Sequence, residues 1–172
     1  MNRIPFLAAI LCCLALSGCE TEVNGSGDEL PLQPQSGDWD IMTTGWDNDD
    51  CNADEGLTTP TSILFDDVEE TSFFMTFFEN GVQVGSRSTC NHDSDDLYSC
   101  DGFTNGFSYD DIDATISISG LATMDMTSET TVSGSGDFVL ECSGDDCNQA
   151  ATFTNSGIFP CGTTMNFTAE AE

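Results

Sequence analysis

The sequence predicts an all-β domain, a single antiparallel barrel or sandwich of about eight to ten strands closed by three disulfides. Three observations carry this. From residue 37 onward apolar residues recur with a period of two rather than 3.6. Gly, Asn and Asp punctuate the runs, and Ser and Thr fill the polar positions between the apolar ones. Six cysteines fall inside the alternating region: Cys51, Cys90, Cys100, Cys142, Cys147 and Cys161.

The alternation is plainest at residues 112–119, where Ile112, Ala114, Ile116 and Ile118 are expected to face inward. Ala122, Met124, Met126, Thr130 and Val132 make a second such face, Phe138 and Leu140 a third, and Met165, Phe167 and Ala169 mark the last strand. No segment presents an amphipathic helix. The best hairpin covers residues 72–88, with Asn80-Gly81 supplying the two positive-φ positions of a type I′ turn. That turn sets an expected register: Glu79 opposite Val82, Phe77 opposite Val84, Met75 opposite Ser86, Phe78 opposite Gln83 and Phe74 opposite Arg87. Phe73, Met75, Phe77, Val82 and Val84 then share one apolar face. Phe74 and Phe78 lie on the other with Arg87, which suits a cation–π contact and offers a candidate ligand surface.

Six cysteines in an exported protein imply disulfides. Spacing favours the local pairs Cys90–Cys100 and Cys142–Cys147, leaving Cys51–Cys161 as a long staple. Closing that loop stabilises by about 4 to 5 kcal/mol in the chain-entropy picture.

Export is expected from the N-terminus. Arg3 precedes an apolar run from Ile4 to Leu16, too short to span a bilayer and suited to a secretory signal. The run ends in Leu16-Ser17-Gly18-Cys19, which resembles the lipobox of bacterial lipoproteins. The resemblance implies removal of residues 1–18 as a signal peptide and acylation of Cys19. Such an anchor is firm, because each buried methylene contributes about 0.8 kcal/mol. Cys12 and Cys13 leave with the signal. The implied location is the bacterial cell envelope, on the outer membrane, with the membrane as partner through the acyl chains on Cys19. Residues 19–36, rich in Gly, Ser, Pro and acid, read as a tether with a reach of about 20 to 25 Å. Residues 37–172 form the domain.

The chain carries 31 Asp and Glu against two cations and has a formal charge of −29. Loss of residues 1–18 leaves Arg87 alone against all the carboxylates. Such a surface repels nucleic acid and favours cations, basic proteins or simply a salty medium.

Gly37-Asp38-Trp39 resembles the G-x-W that opens the first strand of lipocalins. The resemblance implies an eight-stranded antiparallel barrel carrying a small apolar ligand. In that family a late arginine packs on the tryptophan; here Arg87 is mid-chain. A β-sandwich stays open as the alternative.

Asp47, Asp49, Asp50 and Asp54 form an acidic loop that offers calcium-type oxygen ligands, as does the run Asp93-Ser94-Asp95-Asp96. Neither fits the EF-hand pattern, so calcium is a possible cofactor without a recognised motif, and no other cofactor is implied. Catalysis finds little support. His92, the only histidine, sits in the second acidic loop without a nucleophile elbow, and no phosphate-cradling, zinc-helix or dinucleotide motif occurs. The expected function is that of a lipid-anchored, non-enzymatic binding or structural module. The alternatives are an inhibitor-like acidic protein with a basic protein partner and a lipocalin-like carrier of a small apolar ligand.

Overall fold

A computed structural model describes residues 30–172. Eight strands run in sequence order around a closed antiparallel barrel. They are β1 (Gly37–Asp47), β2 (Ser62–Asp66), β3 (Ser72–Glu79), β4 (Val82–Ser94), β5 (Leu97–Ser108), β6 (Thr115–Ser128), β7 (Thr131–Ser143) and β8 (Cys161–Ala171). β8 pairs with β1 and closes the ring, from Trp39 opposite Ala171 to Asp47 opposite Thr164. The alternative of a sandwich is thereby settled in favour of the barrel. Lipobox residues 16–19, including Cys19, lie outside the described residues.

The period of two becomes an inside and an outside. On β8, Thr163, Met165, Phe167 and Ala169 are buried while the residues between them are wetter. On β6, Ile116, Ala122, Met124 and Met126 are buried, and Ser117, Ser119, Thr123, Asp125 and Thr127 are exposed. The outer wall is therefore hydroxyl- and carboxylate-rich, unlike the apolar band of a bilayer-spanning barrel. Thr130 does not join the inner face. It sits in the exposed turn between β6 and β7.

Two short helices interrupt the β pattern: α1 (Ala53–Gly56) between β1 and β2, and α2 (Cys147–Phe153) between β7 and β8. Neither is long enough to show a helical period in the sequence, so neither was legible there. The three disulfides have the expected partners, Cys51–Cys161, Cys90–Cys100 and Cys142–Cys147. Cys90 and Cys100 are directly opposed on β4 and β5, inside the barrel. Cys51–Cys161 ties the loop after β1 to the start of β8. Cys142–Cys147 ties the end of β7 to α2.

One end of the barrel is shut. Residues 32–35 lie across it as a strap. Leu32 N donates to Asp96 Oδ1 at 2.8 Å, Tyr98 Oη donates to Leu32 O at 3.0 Å, and Trp39 Nε1 donates to Gln35 O at 2.9 Å. Gln35 N also donates to Glu129 O, and Pro34 is buried. The segment expected to be free tether up to residue 36 is thus docked over its last residues. Burial, and secondarily the nearby Asp96 carboxylate, push the Tyr98 hydroxyl above its ordinary pKa. Behind the strap the rings of Trp39, Phe65 and Phe73 pack edge to face and Tyr98 packs tilted against Phe73, with centroids about 5 Å apart, filling this half of the barrel.

The hairpin turn is as expected: Asn80 has φ 50° and Gly81 φ 78°. Glu79, Phe78 and Phe77 oppose Val82, Gln83 and Val84. The register then slips. Met75 opposes Ser88 and Phe74 opposes Thr89, not Ser86 and Arg87. Gly85, at φ +74°, opens a bulge that places two extra residues on β4. Close approach demands glycine there too, since a Cβ would sit 2.6 Å from a Phe103 ring carbon. Val82 is exposed at the rim and does not join the inner face.

Gly81→Val should lower the melting temperature by several degrees, since a β-branched residue at this φ costs about 1 kcal/mol or more. Thermal unfolding followed by circular dichroism checks this, and an unchanged midpoint would mean that the turn does not govern the hairpin.

Candidate functional site

The other end of the barrel is open. A cavity of about 280 Å³ lies there, bounded by residues from seven strands and the loop after β1. Trp46 on β1, Phe77 on β3, Phe103 on β5, Ile118 on β6, Phe138 on β7 and Met165 on β8 make its walls and floor. The floor is a run of rings in edge-to-face contact: Phe167 to Phe77 at 6.3 Å, Phe77 to Phe103 at 5.9 Å, and Phe103 to Phe138 at 5.3 Å. Below that floor the barrel is filled; above it, space remains.

Bulges aim two of these rings. Trp39 and Trp46 are an odd number of positions apart on one strand, so a regular strand would send them to opposite faces. A register shift between Thr43 and Gly45 returns Trp46 to the inside. A shift between Cys100 and Phe103, at Gly102 with φ +83°, does the same for Phe103. These positions escape a sequence reading because strict alternation assigns them to the wrong face. Gly45 and Gly102, which sit at the two shifts, are the sequence signals that could have warned of it.

The rim is polar on one side. Leu57, Thr58 and Pro60, from the loop after α1, face Glu79 and Gln83 from the β3–β4 hairpin. Thr58 Oγ1 donates to Glu79 Oε2 at 2.9 Å, and Gln83 Nε2 donates to Gly85 O at 2.9 Å. The loop bearing Leu57 is pinned by Cys51–Cys161, and Cys51, Ala53, Leu140 and Cys161 form a small buried cluster beside Trp46. The mouth therefore has one covalently fixed lip.

The residues singled out from the sequence lie elsewhere. Phe74, Phe78 and Arg87 are on the outer wall, and both rings are half-buried. The Arg87 guanidinium carbon sits 3.7 Å from the Phe74 ring centroid, so the cation–π contact forms. With the slipped register it runs diagonally across the strands, not between opposed residues. Arg87 also pairs with Asp66 at 2.6 Å and Asp67 at 2.7 Å. Hydrogen bonds to Asp67 and Asp66 outweigh desolvation and hold its pKa above the ordinary value. Arg87 stacks on Phe74 and not on Trp39, which is inside.

The acidic loop is organised by hydrogen bonds. Asp49 Oδ1 accepts from Ala53 N at 2.8 Å and Oδ2 from Asp54 N at 3.2 Å, so it ties down the start of α1. Asp47 Oδ2 accepts from Asn166 Nδ2 at 2.7 Å. Asp50 and Asp54 are exposed. Among the described residues no group of three or more Asp, Glu, His or Cys side chains is placed to hold a metal ion. In the second loop Asp96 holds the strap, and His92 Nε2 lies 2.6 Å from Asp95 O.

No protein family, curated protein or solved structure matches this chain.

Burial raises the Asp49 pKa, but the N–H groups of Ala53 and Asp54, helped by the neighbouring Thr163 and Asp54 side chains, bring it below the ordinary value. A folded-state pKa below the unfolded one means stability present at neutral pH and lost as pH falls through the folded value. Asp49→Ala should cost about 1 kcal/mol at pH 7. The gap between the two proteins should narrow below about pH 4. Melting midpoints at pH 7 and in acid check this, and a gap independent of pH would show that the charge is not what the loop uses.

Proposed function

We propose that the protein is a lipid-anchored, non-enzymatic binding module of the bacterial cell envelope whose barrel mouth takes a small apolar ligand. The observation that carries the reading is the apolar cavity at the open end, walled by aromatic rings and aliphatic side chains with a few polar groups at its rim. Its volume of about 280 Å³ suits a ligand of one ring or a short chain.

The anchoring half of the proposal rests on the lipobox-like Leu16-Ser17-Gly18-Cys19. The strap supports it geometrically. The chain reaches the barrel at the shut end, so a tether running from Cys19 attaches opposite the mouth. The mouth then faces away from the bilayer, where a ligand can enter. The acidic outer wall adds repulsion from anionic headgroups and keeps the domain standing off the surface.

Two measurements test this. Titration of the full chain with 2-phenylethanol, followed by tryptophan emission, should saturate, and Ile118→Phe should abolish the saturable phase by filling the cavity while the fold still melts cooperatively. Binding that survives Ile118→Phe would place the ligand elsewhere. Cys19→Ser should move the protein from the membrane fraction to the soluble one, and unchanged fractionation would sink the anchor.

A further inference from the structure

We infer that the ligand of this cavity carries a positive charge: a small apolar amine or quaternary ammonium whose head meets Glu79 at the rim. The inference rests on the cavity reading above and adds a charge to it. Glu79 is the one charged residue lining the cavity. Its Oε2 is held by Thr58 Oγ1, and Oε1 has no hydrogen-bond partner among the described residues. The carboxylate is thus positioned by one oxygen and offers the other.

The other polar groups of the rim are uncharged. Gln83 donates one amide N–H to Gly85 O, and its carbonyl oxygen remains an acceptor beside Glu79. Gln83 keeps its second N–H and Asn105 keeps both of its own, since Asn105 Oδ1 accepts from Gly106 N at 2.8 Å, but these donors are neutral. The walls add Trp46, Phe77, Phe103, Phe107 and Phe138, and ring faces attract cations. A single carboxylate at the edge of an aromatic box suits a positively charged head.

Among the described residues no cation pairs with Glu79. Arg87, the only Lys or Arg among the described residues, is held by Asp66 and Asp67 over Phe74. Phe74 is five residues from Glu79 along β3, roughly 16 Å. The remaining acidic surface raises the local concentration of any cation but repels an anionic ligand. A fatty acid or other carboxylate is therefore disfavoured at this mouth, although the cavity is apolar.

The test is a matched pair of probes on the full chain at about 0.15 M salt, where the general field is screened beyond roughly 8 Å. 2-Phenylethylammonium and 2-phenylethanol differ little except in charge. The amine should bind about tenfold or more tightly, as a charge-assisted contact to a carboxylate implies. Glu79→Gln keeps an acceptor for Thr58 and removes one of 31 carboxylates. It should bring the amine down to the alcohol's affinity and leave the alcohol unchanged. Equal affinities in the parent protein would overturn charge selection while leaving the apolar-cavity reading intact. A preference that persists in Glu79→Gln would overturn Glu79 as its source. Saturable binding of neither probe would remove the cavity reading and this inference together.

Discussion

β1 and β8 come from opposite ends of the domain and lie side by side, hydrogen-bonded from Trp39–Ala171 to Asp47–Thr164. This pairing turns a meander into a barrel. Without it, two strands would expose unpaired N–H and C=O groups, and the alternating faces would have no enclosed interior to fill. With it, every inward residue of eight strands converges on one axis, and the aromatic rings must stack along that axis. The Cys51–Cys161 bond sits at the mouth end of the same seam, linking the loop after β1 to the first residue of β8. The shut end is finished by the strap, whose Gln35 carbonyl takes the Trp39 indole N–H and leaves that buried ring satisfied.

Closure also divides the charge from the core. The described carboxylates lie on the outer wall or at the ends, and the interior is almost wholly apolar. The chain's net charge of −29, most of it on a small barrel, produces self-repulsion that salt relieves. The protein thus combines an apolar aromatic cavity with a strongly negative exterior. Glu79, with Thr58 as its hydrogen-bond donor, stands where the two meet.

The sequence made the inner residues of β6 and β8, the Asn80-Gly81 turn and the pairs Cys90–Cys100 and Cys142–Cys147 legible, because each depends on local spacing or short-range geometry, and Cys51–Cys161 followed as the pair left over. Strand pairing beyond the turn was less legible. Phe74 and Arg87 are in contact as expected, but the two extra residues at the Gly85 bulge make them diagonal neighbours. A hairpin turn sets register only as far as the ladder stays regular. The candidate site was hidden for the same reason. Trp46 and Phe103 point into the cavity only because bulges reverse the alternation before them. The acidic loop read as a possible calcium site holds Asp49, whose oxygens are engaged by the start of α1.

By itself the sequence determined the all-β class, the inside and outside of regular strands, the disulfide framework and the charge, since these follow from a period of two, cysteine spacing and composition. Only the tertiary structure decided that the sheet closes on itself, that residues 32–35 seal one end, and that the rings stop short of the other. Closure depends on pairing strands far apart in the chain, and a cavity is the space left when side chains from seven strands and a loop fail to fill a common volume. Neither quantity is carried by any local stretch of residues.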